Sequence, residues 1–131
     1  MGSPPPPALG YRGSVGAVKL IGVTITITSA SVDDLGRLMH AEDAAAQTCL
    51  AFQRLEAELD RRGLRLDALR RIELCTVADA ASVELVDLVR ERLGERLRGR
   101  GPTVRTGTAT ADRLRLPGML VELRAEVTVA D

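Results

Sequence analysis

Val23, Ile25 and Ile27 alternate with Thr24, Thr26 and Thr28 within "VKLIGVTITITS", which is the period of a half-buried strand. The stretch predicts one strand, or two short ones broken near Gly22, ending at Ser29. Asp33, Asp34 and Gly36 then supply turn chemistry. From about Ala41 to Arg62 the residues are good helix formers. Ala45, Cys49, Phe52, Leu55 and Leu59 recur three and four apart as one apolar stripe, and Gly63 stops the helix. "LRRIELCTV" is a second strand, with Ile72 and Leu74 on one face and Cys75 and Val77 on the other. Apolar groups on both faces predict a central position in a sheet.

Asp79 is placed to cap a second helix over about residues 80 to 98, with Val83, Val86, Val89, Leu93 and Leu97 as its buried stripe. Arg96, Arg98 and Arg100 suit the negative end of its dipole. Residues 103 to 111 and 119 to 129 read as two more strands. In the last, Val121, Leu123, Ala125, Val127 and Val129 share one face, and Leu120, Glu122, Arg124, Glu126 and Thr128 share the other. The order β-α-β-α-β-β predicts an α/β (α+β) fold with two helices packed on one face of a mixed sheet. The opposite sheet face, rich in Thr and small residues, is either solvated or covered by a second subunit.

A chain of 131 residues suits one domain, able to bury roughly two-thirds of its unfolded surface. Residues 1 to 14, with their proline run, are expected to form a flexible arm, leaving 15 to 131 as the domain. Eighteen basic residues balance eighteen acidic ones, and the only aromatics are one Tyr and one Phe. Neither a cationic surface nor a stacking platform for nucleic acid is available. No window holds the ~20 apolar residues of a membrane span, and the N-terminus lacks the basic and apolar regions of a signal peptide. Cys49, Cys75 and the lone His40 make no metal set, so two reduced thiols in a cytoplasmic protein, without metal or cofactor, are expected. High Arg, Ala, Leu and Val usage with little Lys suits a GC-rich bacterial source.

Two charges fall inside strand-like segments: Arg105 in "GPTVRTGTATA" and Glu122 in "LPGMLVEL". If "ADRLRLPG" joins antiparallel strands, its middle near residue 115 sets Arg105 opposite about residue 125 and Glu122 opposite about residue 108. The two would then lie ~7–8 Å apart or somewhat further. Spacing leaves two readings open, an ordinary cross-strand ion pair or a ligand site.

The segments "TITITSAS", "AAAQTCLAFQRLEAELDRRG", "LRRIELCTVADAASVELV", "GPTVRT" and "LPGMLVELRAEV" follow one another in that order. Through them the chain, from Ser29 onward, resembles the reactive intermediate deaminase family (RidA, YjgF-like). The resemblance implies the chorismate-mutase-like RidA fold and a homotrimer with clefts between subunits. It makes Arg105 the clamp for a substrate carboxylate, beside Ala30 and Gly107. Glu122 would position the water that attacks an imine carbon, and Ser29 would line the same cleft. Asp87, Arg90 and Tyr11 fall near the family's interface contributors. Three departures accompany it. Ala30 replaces the usual glycine, the Pro102-to-Arg105 spacing is one residue longer, and the cleft aromatics are missing. The functions implied are an enamine/imine deaminase acting on 2-imino acids, a diverged tailoring enzyme for a larger carboxylate or imine ligand, or a non-catalytic trimeric binding protein.

Overall fold

The structure, a computed structural model, describes residues 22–77, 80, 82–98 and 104–129. The proline-rich arm, Tyr11, the first part of the expected first strand, Asp79 and Pro102 lie outside the described residues. The elements are β1 (Val23–Ala30), α1 (Ala44–Arg61), β2 (Leu69–Val77), α2 (Ser82–Leu97), β3 (Arg105–Ala111) and β4 (Val121–Val129). The four strands form one mixed sheet in the order β1-β4-β2-β3.

The expected antiparallel pairing of β3 with β4 does not form. β3 lies parallel to β2 with Arg105 beside Arg71, while β4 is antiparallel to both β1 and β2. The reason is burial. Val121, Leu123, Ala125 and Val127 of β4 are each 0% exposed, so β4 takes an inner position with a partner on each edge. β3, made of Thr, Gly and Ala around Arg105, has less apolar surface to hide and takes the edge. α2 serves as the crossover that returns the chain for a parallel pairing.

Both helices cover the same sheet face. Phe52, Leu55 and Leu59 of α1 and Leu85, Val89 and Leu93 of α2 pack against Ile72, Leu74, Val121, Leu123, Ala125 and Val127. Two positions of the expected stripes turn outward: Ala45 is exposed and Val83 is 76% exposed. Leu85 takes the inward place in α2. In α1 the buried arc includes Gln47, Thr48 and Ala51.

α1 starts later than its composition suggests, because His40 and Glu42 adopt positive φ (56° and 63°) and close a turn. Asp43 then caps the helix by accepting the Ala46 N–H. At the other end Gly63 has φ 72°. The Leu64 N–H bonds the Leu59 carbonyl and the Gly63 N–H bonds the Asp60 carbonyl, a Schellman closure. Among the described residues no helix is long and apolar enough to cross a membrane.

Candidate functional site

Residues opposite one another in register share a sheet face. The face without helices therefore carries Thr24, Thr26, Thr28 and Ala30 from β1, and Glu122, Arg124, Glu126 and Thr128 from β4. β2 adds Arg71, Glu73, Cys75 and Val77, and β3 adds Arg105, Gly107, Ala109 and Ala111. Most of these side chains are small, so the charges at the centre stand out.

They form a continuous row. Arg71 Nη1 lies 3.4 Å from Glu73 Oε2, and Arg124 Nη1 lies 3.7 Å from Glu73 Oε1. Arg124 Nε lies 3.5 Å from Glu122 Oε1, and Arg115 Nε lies 3.6 Å from Glu122 Oε2. Glu122 is 5% exposed, between Ala30 and Cys75 at 3% each on the flanking strands. At 3.5–3.6 Å its arginines balance its charge without occupying its lone pairs. A nearly buried carboxylate of this kind is able to accept hydrogen bonds from a water or a ligand. Burial, ahead of the neighbouring charges, pushes the Cys75 thiol above its usual range, which makes it a poor nucleophile.

Arg115 belongs to the 112–120 loop, and Gln47 of α1 fixes the end of that loop. The Gln47 amide donates to the carbonyls of His40 and Gly118, each at 3.0 Å, and its oxygen accepts the N–H groups of Leu120 at 2.8 Å and Val121 at 3.3 Å. Gln47 is 0% exposed, so a buried amide with all its bonds made ties the loop to the helix. The Glu42 N–H also reaches the Gly118 carbonyl. Arg115, Leu114, Leu116 and Met119 line an open depression on this loop. Arg115 also borders a groove beside Thr28, Ser29 and Ala30.

The residues singled out by sequence are not all brought together in one chain. Glu122 and Ala30 are direct neighbours on the uncovered face. Ser29 is paired with Leu123 and so belongs to the helix face. Its hydroxyl is buried and has no hydrogen-bond partner among the described residues. Arg105 is on the same face as Glu122 but two strands across and four residues along. That separation is roughly 16 Å at about 3.4 Å per residue and about 4.8 Å per strand. Gly107 lies beneath the Arg71 guanidinium, where a Cβ would come 2.6 Å from Nη2. Asp87 and Arg90 pair on α2 at 3.6 Å, and Arg90 Nε donates to Thr106 Oγ1 at 3.0 Å on the helix side of β3. Sequence reasoning missed Arg115, Arg124 and Arg71. Arg124 carried a signal, two positions from Glu122 on the same strand face. Arg115, in a loop, carried none. Among the described residues no cluster of three or more potential metal ligands occurs.

By sequence the chain matches no protein-family model and no curated protein. By structure it is similar to solved proteins of one group. The Rid-family protein YyfB from Yersinia pestis superposes with a TM-score of 0.68 at 22% identity, over 84% of this chain and 81% of that one. Rv2704 from Mycobacterium tuberculosis, of the YjgF/YER057c/UK114 family, gives 0.61 at 24% identity over 83% and 81%. Escherichia coli TdcF, solved with bound serine, gives 0.64 at 14% identity over 84% and 87%. The chain has the fold of these proteins, with two helices on one face of a four-stranded mixed sheet.

Proposed function

We propose, from the Rid/YjgF fold, that this chain is a divergent RidA-like enzyme of the cytoplasm that hydrolyses small 2-imino acids to 2-oxo acids and ammonia. Its clefts form where the subunits of a homotrimer meet. The observation that carries the reading is the Glu122 carboxylate. It is nearly buried, no described residue donates a hydrogen bond to it, and it sits on the one sheet face that no described helix covers. The separation of Arg105 from Glu122 supports the shared cleft. A small imino acid is too short to span roughly 16 Å, so the clamping Arg105 comes from a second copy.

The chemistry asks little of the protein. The imine carbon is already electrophilic, and the task is to hold it beside one activated water. As the water's oxygen bonds the carbon and the C=N bond becomes single, Glu122 accepts a proton from that water and passes it to the imine nitrogen, giving a neutral carbinolamine. Glu122 then accepts the carbinolamine's hydroxyl proton as the carbonyl forms and the C–N bond breaks. It returns that proton to the departing nitrogen, which leaves as ammonia, and Glu122 is again a carboxylate. One water is consumed. Arg105 binds the substrate carboxylate through its planar fork. Ala30 and Gly107 keep the walls low around it, and Ser29 supports the strand end from below. Asp87, Arg90 and Tyr11 contribute at the contacts between copies.

The test is a purified-protein assay in which an amino-acid oxidase generates imine in situ. Loss of imine accelerates with the wild type and falls to the uncatalysed rate with Glu122→Gln. No acceleration by the wild type, or equal acceleration by Arg105→Ala, rules the activity out. A second reading, a diverged enzyme for a larger or more polar ligand, is favoured by the aromatic count. Phe52, the chain's one Phe, is in the core at 2% exposure, so it contributes no ring to the cleft.

A further inference from the structure

We propose that Arg115 reads a second acidic group on the substrate, making the site selective for imines of amino acids with acidic side chains. This rests on the proposed hydrolysis at Glu122 and names the substrate class it takes.

The charged row on the uncovered face holds three arginines, Arg71, Arg124 and Arg115, against two glutamates, Glu73 and Glu122. Arg71 and Arg124 share Glu73, and Arg124 and Arg115 share Glu122. Within this ion-paired row one formal positive charge is left over, Arg105 and Glu126 on the same face offsetting each other in formal charge, and geometry locates it. Arg124 has an acid on either side, and Arg71 has Glu73. Arg115 comes closest to Glu122 through Nε, at 3.6 Å, with a side chain 63% exposed. Its two terminal amino groups make no hydrogen bond among the described residues. Asp112 of the same loop makes no ion pair with it, and neighbouring Arg113 offsets Asp112 in formal charge.

Arg115 is also held in place. Its Nε faces Glu122 at 3.6 Å, and Leu114, Leu116 and Met119 line the depression beside it. Gln47 fixes the loop end. A planar fork whose outer edge makes no hydrogen bond among the described residues matches a carboxylate. The position gives the specificity. The water polarised by Glu122 attacks the imine carbon, so Arg115 is about one short side chain away from the reacting centre. With the α-carboxylate on Arg105, the group that meets Arg115 is the end of the substrate side chain. A cation there attracts a second carboxylate and gives an alkyl group no partner. The cleft gains no aromatic surface from Phe52 to favour an alkyl substrate instead.

The experiment compares an acidic imine, 2-iminoglutarate, with an apolar one, 2-iminobutyrate, both made in situ by amino-acid oxidases. It uses wild type, Arg115→Ala and Arg115→Lys, and adds calorimetric binding of 2-oxoglutarate and 2-oxobutyrate. The wild type is expected to prefer the acidic substrate. Arg115→Ala lowers the kcat/KM ratio, acidic over apolar, by about 10- to 100-fold, the range for losing a charge-assisted hydrogen bond. Arg115→Lys restores part of the ratio, because charge returns without the fork. An unchanged ratio in Arg115→Ala, with both substrates equally slowed, overturns the proposal and leaves the deaminase reading intact. If no imine is hydrolysed by any form, the deaminase reading fails. The binding arm then decides for Arg115: tighter 2-oxoglutarate lost in Arg115→Ala supports it, and equal affinities overturn it.

Discussion

The side-chain oxygen of Gln47 accepts the Leu120 N–H at 2.8 Å, joining positions 73 apart in sequence. Because the same amide also holds Gly118 and His40, Gln47→Leu removes four hydrogen bonds and takes the side-chain acceptor from the Leu120 and Val121 N–H groups, while the Gly118 and His40 carbonyls keep the Glu42 and Asp43 N–H groups. The expected cost is on the order of 3 kcal/mol, measured by urea unfolding. A cost under about 0.5 kcal/mol would show that the loop is not held there. Because the 112–120 loop carries Arg115, the variant should also lose activity on imines.

Gly22 and Gly107 separate two kinds of glycine. Gly22 has φ 63°, and an added Cβ would meet the Val129 carbonyl oxygen at 2.7 Å. Neither the backbone angle nor the backbone oxygen yields cheaply, so Gly22→Ala should cost about 1–2 kcal/mol or more. Gly107→Ala meets only the Arg71 guanidinium, the far end of a flexible side chain. Its movement sacrifices one partly exposed ion pair with Glu73, worth under about 1 kcal/mol. Equal melting temperatures for the two variants contradict this ordering.

α2 is phased by Leu85, at 4% exposure, rather than Val83, at 76%. Leu85→Ala is expected to cost about 2–4 kcal/mol through the cavity it leaves. Val83→Asp should fall within about 0.5 kcal/mol of wild type. Denaturant midpoints for the pair check the helix rotation directly.

The Glu58 carboxyl is pulled from 4.5 to about 2 by hydrogen bonds from Arg61 and then Arg62. A folded-state value below the unfolded one contributes stability that is present above the unfolded value and lost as pH falls through the folded one. The melting temperature of wild type should therefore exceed that of Glu58→Gln near neutrality. The gap should close between pH about 4.5 and about 2, and shrink in high salt because the group is on the surface. A gap constant across that range sinks the assignment.

Cys75 is 3% exposed and its thiol is pushed upward by burial, whereas Cys49 is only half-buried. A disulfide reagent at pH about 8 should label one thiol quickly and one slowly. Cys49→Ser should remove the fast phase. If the fast phase survives that change, Cys75 is more accessible than its place beside Glu122 implies.

The sequence by itself determined the elements and most of their faces. Alternation in residues 23–28 and 121–129 and the three-four spacing of Phe52, Leu55 and Leu59 are local, and local burial obeys them. Glu122 was legible as the one acid in an apolar stretch. Local pattern could not choose among neighbours. Strand order follows from which surfaces need burial on both edges, and this put β4 inside and Arg105 at the far edge from Glu122. Helix phase was settled by what lay beneath, so Leu85 displaced Val83. The arginines around Glu122 come from a loop and from its own strand, and only packing, through a glutamine from another helix, brings Arg115 to it. Alternation determined which residues could face the site, and long-range burial decided which of them meet there.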